Sequence, residues 1–357
     1  MKKLLKFFKI FIINIIIFII IIFFIEGIIR WSHPEINSVG EDSKLIDYNK
    51  YSTTYGYKPF AKGSSFGSKI MTDKSGFRVS SNLPYNNLYK NILILGDSVT
   101  MGVGVDADNT FTSILFKKNN NINIINGSVT GYSFFDYINV LPKIINDSYI
   151  GVILCLCLND FDKISQKNII AKRDEGIEND NLHRYPNFIV RTLRVINDNY
   201  FNFNDYLRCN FRTYLWIKSL LIDSSKEHFL ADLERYKKRK RMLELIRDQF
   251  KQMIKITNET NKWFIVFILP YEYQLRSKDK SYLLPQEMIL RATAGLNLDI
   301  VDLYEPMINI ILKDKIRSRK LYLFNDPCHF SDEGHRIVAE IISSEIARRK
   351  LLPKNHS

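Results

Sequence analysis

Short apolar runs alternate with segments of helical periodicity along most of this 357-residue chain, and this rhythm constrains its fold more than any other feature. The apolar runs cover residues 91–95, 122–125, 149–158, 263–269 and 298–303. Each run has the length of a buried strand, whereas segments such as 110–118 and 134–145 have the apolar spacing of a helix. Strands that alternate with helices in this way form a parallel sheet covered by helices on both faces. The sequence therefore predicts a three-layer α/β fold, closed by an amphipathic helix at 332–349.

The N-terminus is far more apolar than the rest of the chain. Four lysines (Lys2, Lys3, Lys6 and Lys9) precede an apolar run at 10–25 that only Asn14 interrupts. With its apolar flanks the run approaches the ~20 residues that a bilayer-spanning helix needs. A cleaved signal peptide is the alternative, but residues 26–31 contain no small-residue cleavage site. We therefore expect an uncleaved, single-pass anchor at 1–31, with the lysine-rich end cytoplasmic and the rest of the chain extracytoplasmic.

The remaining chain divides into a polar, turn-rich lead-in at 32–88 and a main domain at 89–357. Within this domain the segment at about 165–261 breaks the strand–helix rhythm, and a long helix is predicted at 224–257. We interpret the segment as a helical insertion that caps one end of the sheet and sets substrate choice. Core packing is the alternative role for its aromatic side chains that are candidates to line a pocket: Tyr185, Phe188, Tyr206 and Trp216.

Charge and motif content exclude several classes of protein. Lys and Arg number 51 against 38 Asp and Glu, and the net charge of +13 favours anionic surroundings such as a membrane surface. The basic run at 235–241 is interpreted as a solvated helix face, so no nucleic-acid partner is expected. No nucleotide-binding glycine motif is completed after Gly96, and His329, His335 and Asp326 lack zinc-site spacing. We therefore expect no cofactor and no metal.

Polar residues follow the predicted strands at the edge where open parallel sheets bind ligands. Gly96-Asp97-Ser98 follows the first strand, a loop ending in Gly131 follows the second, and Asn159-Asp160 follows the third. The motif Asp326-Pro-Cys-His329 precedes the last helix. Each motif alone also fits a helix cap or a turn.

The chemistry of these residues is complementary. A serine hydroxyl needs a base to become a nucleophile, and His329 can serve Ser98 with Asp326 fixing its tautomer. The oxyanion formed by attack on an ester needs preorganised donors. The Ser98 and Gly131 amides and the Asn159 carboxamide have the right type. Together the motifs predict a serine hydrolase-type site.

In this order the motifs resemble the four signature blocks of the SGNH branch of the GDSL-type hydrolases, over about 90–350 without the insertion. The resemblance implies an SGNH/flavodoxin-like fold and an ester-bond hydrolase. It implies a triad of Ser98, Asp326 and His329, and an oxyanion hole formed by Ser98, Gly131 and Asn159. Cys157 stands where the third block normally has glycine, and its side chain is expected to narrow the pocket or tilt the strand end.

Further motifs resemble a membrane-tethered, exported subset whose members modify surface glycans. They are Glu26 and Arg30 after the apolar run, Gly76-Phe77-Arg78, and Gly102-Val-Gly104-Val105. The expected partners are therefore an acylated carbohydrate or other ester substrate and, through the N-terminal helix, membrane lipid.

Three functions remain open. The first is an exported esterase that removes acyl groups such as acetyl from a carbohydrate. The second is an O-acyltransferase with the same triad, and the third is a glycan-binding protein that has lost activity.

Of the four cysteines, Cys155 and Cys157 are expected to be inert core thiols. Cys328 beside the predicted base is open to packing or, in an exported domain, a disulfide.

Overall fold

A computed structural model describes residues 2–48, 50–51, 54–80, 82–83, 85–119, 121–161, 203–238 and 241–352. The N-terminal helix α1 spans Lys2–Ser32. Its stretch Lys6–Ser32 is, among the described residues, the one helix long and apolar enough to cross a membrane. A membrane span and a signal sequence both fit this helix.

The C-terminal end of α1 is joined to the rest of the protein. The Glu26 carboxylate accepts hydrogen bonds from the backbone N–H groups of Arg212 (3.0 Å) and Thr213 (2.9 Å). Arg30 donates to Glu26 (2.7 Å) and to the Asn210 carbonyl (2.8 Å), and Ile29 is buried. Glu26 therefore satisfies amides at the start of the helix that begins at Arg212, as an N-cap side chain does.

Two small antiparallel sheets follow in the lead-in. Strands β1 (Ile46–Asp47) and β2 (Gly56–Tyr57) form one, and β3 (Lys62–Ser65) and β4 (Ser68–Met71) form the other. Five of the lead-in's apolar side chains belong to the hydrophobic core: Leu45, Tyr55, Tyr57, Ile70 and Phe77. The predicted boundaries at 31 and 88 stay predictions, but the lead-in is packed on the main domain rather than merely crossing to it.

A five-stranded parallel sheet forms the centre of the protein. Its strands are β5 (Lys90–Leu95), β6 (Ile122–Asn126), β7 (Tyr149–Leu156), β8 (Trp263–Ile268) and β9 (Asp299–Asp302). They lie in the order β6-β5-β7-β8-β9, all parallel, so the chain reverses its direction of travel across the sheet between β5 and β7. Such a switch point opens a crevice at the carboxyl ends of the strands.

Helices cover the sheet as the strand–helix rhythm predicts. They are α2 (Ser98–Met101), α3 (Phe111–Lys118), α4 (Phe134–Ile144), α5 (Phe203–Asn210), α6 (Arg212–Leu221), α7 (Ser224–Lys238), α8 (Met242–Glu259), α9 (Glu272–Ser277), α10 (Leu284–Thr293), α11 (Tyr304–Lys313) and α12 (Asp332–Arg348). Helix α3 packs on β6 and α12, while α8 packs on α4, α10 and β8. Because both faces are covered, the middle strands are buried along nearly their whole length.

The single helix predicted at 224–257 is wrong: the structure has α7 and α8 instead. Helix α7 ends at Lys238, and α8 begins at Met242 after Arg241, whose φ of −115° and ψ of 28° are not helical. The break falls in the basic run at 235–241, where like charges three and four residues apart destabilise a continuous helix.

Candidate active site

Ser98 lies at the first turn after strand β5, which pairs with β6 on one side and β7 on the other. The Asp97 side chain caps the short helix α2 by accepting from the Val99 N–H (2.9 Å), and Ser98 is the first residue of that helix. A Cβ at Gly96 would lie 2.1 Å from Thr100 Oγ1 and 2.9 Å from the Cys155 carbonyl oxygen. Only glycine fits this turn, and Gly102 ends α2 with a φ of +82°. The strand-to-helix turn is therefore sharp enough to present Ser98 at the edge of the sheet.

The structure brings Ser98, His329 and Asp326 into one hydrogen-bonded row. Ser98 Oγ lies 2.7 Å from His329 Nε2, and His329 Nδ1 lies 2.9 Å from both carboxylate oxygens of Asp326. Asp326 Oδ1 also accepts from the backbone N–H groups of His329 (2.7 Å) and Cys328 (3.0 Å). The carboxylate is thus fixed by its own loop, and it in turn fixes the imidazole plane.

The charges in this row stabilise one another. Burial alone would lower the pKa of His329, but the carboxylate of Asp326 outweighs it and raises the pKa above the usual value. Burial alone would raise the pKa of Asp326, but the charge and hydrogen bonds of His329 lower it. Burial also raises the pKa of the neighbouring Asp97 to about 6. Asp326 therefore stays ionised beside a histidine that binds protons more readily than usual.

Gly131 and Asn159 lie on the two loops that flank Ser98, because β6 and β7 are the neighbours of β5. Gly131 has a φ of +79°, and Asn159 is exposed after β7. Hydrogen bonds join the three loops: Val129 N–H donates to the Gly96 carbonyl (3.3 Å), and Phe134 N–H donates to the Asp160 carbonyl (2.7 Å). Within the part of the chain that the structure describes, neither the Gly131 N–H nor the Asn159 carboxamide donates a hydrogen bond.

Lead-in residues that the sequence did not single out complete the surroundings of this site. Tyr55 Oη donates to the Thr130 carbonyl oxygen (2.5 Å) directly before Gly131. The ring of Phe66, at the tip of the β3–β4 hairpin, lies 5.0 Å from the His329 ring. Phe66 has a φ of +50° and Gly67 a φ of +83°, as the two-residue turn of a hairpin requires. Tyr55 and Tyr57 are two residues apart, which is the spacing of one face of a strand, and this weak pattern could have predicted strand β2.

Arg78 organises the loop that follows α2. Its buried guanidinium donates to the carbonyl oxygens of Met101 (2.7 Å), Gly102 (2.6 Å) and Val105 (2.6 Å). Burial lowers the pKa of Arg78 to about 10. The Gly76-Phe77-Arg78 motif therefore ties the lead-in to the turn that carries Ser98.

The cysteine at the position where glycine was expected makes a specific contact. Cys157 and Cys328 are buried free thiols whose side chains interact with each other. Burial raises the pKa of Cys157 to about 12, and the contact with Cys157 together with burial raises that of Cys328. Both side chains are therefore protonated thiols that pack the Asn159 loop against the His329 loop.

A cavity of about 1050 Å³ lies on the side of Asp326, and its lining includes neither Ser98 nor His329. Its lining combines apolar and polar side chains, among them Leu220, Leu323, Phe324, Glu35, Asn37 and Arg319. Leu220 belongs to α6 in the predicted insertion. Tyr206 packs on Phe211 and Trp216 packs on His33, and neither lines this cavity. Tyr185 and Phe188 lie outside the described residues.

Among the described residues, one group of side chains could together hold a metal ion, and it lies on the loop that carries His329. The ligand atoms of Asp326, Cys328 and His329 lie within 4.8 Å of one another. Both ring nitrogens of His329 already face Ser98 and Asp326, and the Cys328 thiol faces Cys157. These contacts suit proton transfer between Ser98 and His329 better than metal coordination.

A hydroxyl, an imidazole and a carboxylate in one hydrogen-bonded row at the carboxyl edge of a parallel sheet have the geometry of a serine hydrolase. Residues 92–342 match the model of the GDSL-like lipase/acylhydrolase family, and the chain belongs to this family of ester-bond hydrolases. None of the curated proteins matches this chain in sequence.

Similar solved structures include several esterases. One is a two-domain esterase active on acetylated mannans, co-crystallised with mannopentaose. It is 14% identical to this chain, with a TM-score of 0.42, and the match covers 74% of this chain and 50% of the esterase. This chain therefore spans about half the length of that esterase. An acetylxylan esterase from Geobacillus stearothermophilus is 12% identical with a TM-score of 0.41, over 73% of this chain and 96% of its own. A lipolytic protein of the G-D-S-L family from Veillonella parvula is 14% identical with a TM-score of 0.37, over 72% and 99%.

Proposed function

We propose that Ser98, His329 and Asp326 are the catalytic triad of a serine esterase. The observation that carries this proposal is the continuous row of contacts from Ser98 Oγ through His329 to Asp326, at 2.7 and 2.9 Å. In the first step Ser98 Oγ attacks the acyl carbonyl carbon while His329 Nε2 takes the hydroxyl proton. Asp326 stabilises the imidazolium that forms. The tetrahedral intermediate then collapses, the bond to the alcohol breaks, and His329 returns the proton to the departing oxygen.

The second half of the reaction frees the acyl group from Ser98. Water attacks the acyl-Ser98 ester, gives its proton to His329, and the acid leaves as Ser98 regains a proton. We propose that the N–H groups of Ser98 and Gly131 and the Asn159 carboxamide stabilise the oxyanion in both halves. In support, the loops carrying Gly131 and Asn159 flank Ser98, and both donors are free of other partners among the described residues.

We propose an acylated carbohydrate as the substrate and an extracytoplasmic site on a membrane-anchored chain. The cavity beside Asp326 offers carboxylate, amide and guanidinium groups from Glu35, Asn37 and Arg319, which suit sugar hydroxyls. The end of α1 supports a retained anchor, since Glu26 and Arg30 bind residues of α5 and α6. The orientation follows from the lysines before the span.

An O-acyltransferase is the second candidate, because a sugar hydroxyl can replace water in the attack on acyl-Ser98. A glycan-binding protein without activity has less support, because the three reacting groups are all present and in contact. Mass spectrometry of the chain quenched during turnover of p-nitrophenyl acetate tests the shared intermediate. We expect the mass of the peptide containing Ser98 to increase by about 42 Da, because an acetyl group replaces the hydroxyl proton. Adding a glycan acceptor then separates the candidates: a transferase forms an acylated glycan, and an esterase forms only free acid. No adduct on Ser98 would contradict both.

A further inference from the structure

One peptide group in the site, the Thr130–Gly131 amide, is held from outside the family domain. Its carbonyl oxygen accepts a hydrogen bond from Tyr55 Oη at 2.5 Å, and Tyr55 is only 2% exposed. Tyr55 is itself fixed, because Tyr132 Oη donates to its backbone carbonyl (2.5 Å) and the two rings pack edge to face with centroids 5.4 Å apart. The matched family region begins at residue 92, so this contact comes from the lead-in.

The residue before Gly131 is held at two further points. Thr130 N–H donates to Tyr57 Oη (3.2 Å), and Tyr57 Oη donates to Glu41 Oε1 (2.7 Å). Thr130 Oγ1 donates to the same carboxylate oxygen at 2.9 Å. Thr130 is therefore fixed through its N–H, its side chain and its carbonyl by Tyr57, Glu41 and Tyr55.

The carbonyl and the N–H of one trans peptide lie in a plane and point in opposite directions. Fixing the Thr130 carbonyl on Tyr55 therefore fixes the direction in which the Gly131 N–H points. A hydrogen bond to the carbonyl also polarises the amide and strengthens its N–H as a donor. The Gly131 N–H has no acceptor among the described residues, so it is free for a group of the substrate.

The geometry points to Tyr55 as a positioning residue for the oxyanion hole: its hydroxyl aims and polarises the Gly131 N–H. This inference rests on the proposed function, because it requires that the Gly131 N–H stabilise an oxyanion during catalysis. It also gives the lead-in a role in the reaction, through residues that lie beyond the family's matched region.

Tyr55→Phe in the full-length chain tests this role, assayed in detergent micelles with p-nitrophenyl acetate. A misaligned donor should lower kcat roughly 10- to 100-fold, while KM changes by less than about twofold, because the donor acts mainly in the transition state. The pH midpoint of activity should not move, since His329 is untouched.

Two other variants calibrate this result. Asn159→Ala, which removes a whole donor, should lower kcat by a factor on the order of 10²–10³. Tyr48→Phe is the matched control: the Tyr48 ring also packs near Tyr55 (6.4 Å), but its side chain is 43% exposed.

A second measurement separates aiming from folding. With 2,3-difluorotyrosine in place of Tyr55 the hydroxyl remains and becomes a stronger donor, so kcat should equal or exceed that of the wild type. Three results would overturn the inference: wild-type kcat in Tyr55→Phe, a rise in KM with kcat unchanged, or a fall of kcat in the difluorotyrosine protein to the level of Tyr55→Phe.

Ser98→Ala in the same assay distinguishes failure of this inference from failure of the proposed function. If Ser98→Ala is fully active, the triad proposal fails; if it is inactive while Tyr55→Phe is unaffected, only the role of Tyr55 fails.

Discussion

His329 lies between the Ser98 hydroxyl and the mostly buried Asp326 carboxylate, and in the proposed mechanism its protonation controls the chemistry. Only the neutral imidazole can take the proton of Ser98, so activity should be absent at low pH and rise as His329 loses its proton. Because Asp326 raises the pKa of His329, the midpoint of this rise should lie above the usual histidine value of about 6.5.

The titration of His329 also affects the stability of the fold, which should fall with rising pH while the activity rises. The folded state binds a proton at His329 more tightly than the unfolded state, so this contribution to stability is present at low pH and is lost as pH rises through the raised pKa.

Asp326→Asn removes the cause of the shift in the pKa of His329. We expect its kcat/KM profile to move to lower pH and its kcat to fall by about 10⁴, through the wrong tautomer of His329. Measured pH profiles of both proteins check this. A wild-type midpoint at or below 6.5, or an unmoved midpoint in Asp326→Asn, would contradict it.

The junction between α1 and α6 is the point where the apolar helix joins the folded domain. Glu26→Ala leaves the N–H groups of Arg212 and Thr213 without their acceptor, and loss of such a cap costs about 1 kcal/mol. We expect faster amide hydrogen exchange across Arg212–Leu221 in the full-length chain, with exchange in β5 and β7 unchanged. Glu340→Ala is the control, because Glu340 pairs with Arg336 on the surface of α12. Equal exchange rates in α6 of all three proteins would show that Glu26 does not hold the two helices together.

The elements also show what local sequence can and cannot predict. The five strands of the sheet were predicted to within two residues because strands buried on both faces leave continuous apolar runs, as in β7. The break between α7 and α8 was missed, since it depends on the charges of the basic run as well as on apolar spacing. The short strands β1 to β4 were missed because two to four residues are too few to establish a period.

For the candidate site, the sequence identified residues whose chemistry is visible in a motif. Ser98, Asp326 and His329 were predicted as a set, and the structure places them in contact. Tyr55 and Phe66 were not found because their contacts join residues 75 and more positions apart. Such pairings follow from tertiary packing, and no local pattern encodes them. The contact between Cys157 and Cys328 belongs to the same class.

The proposed topology places everything after α1 outside the cytoplasm. Cys209 is an internal reporter of this topology, because it is exposed while Cys155, Cys157 and Cys328 are buried. A membrane-impermeant maleimide added to intact spheroplasts should label the protein once, at Cys209, and Cys209→Ser should abolish the labelling. Labelling that requires lysis would reverse the orientation. Labelled protein released into the medium in a shortened form would favour a cleaved signal peptide.

If Ser98 is the nucleophile of this ester-bond hydrolase, Ser98→Ala should abolish turnover without unfolding the protein. The measurement is the kcat of full-length wild type and Ser98→Ala on p-nitrophenyl acetate, with thermal unfolding of both proteins as the check on folding. We expect kcat to fall by several orders of magnitude, about as far as in His329→Ala, because the members of a triad act as a unit. The unfolding temperature should be nearly unchanged, since removing the Oγ atom leaves no cavity of consequence at the edge of the sheet. Wild-type turnover by a folded Ser98→Ala protein would show that Ser98 is not the nucleophile.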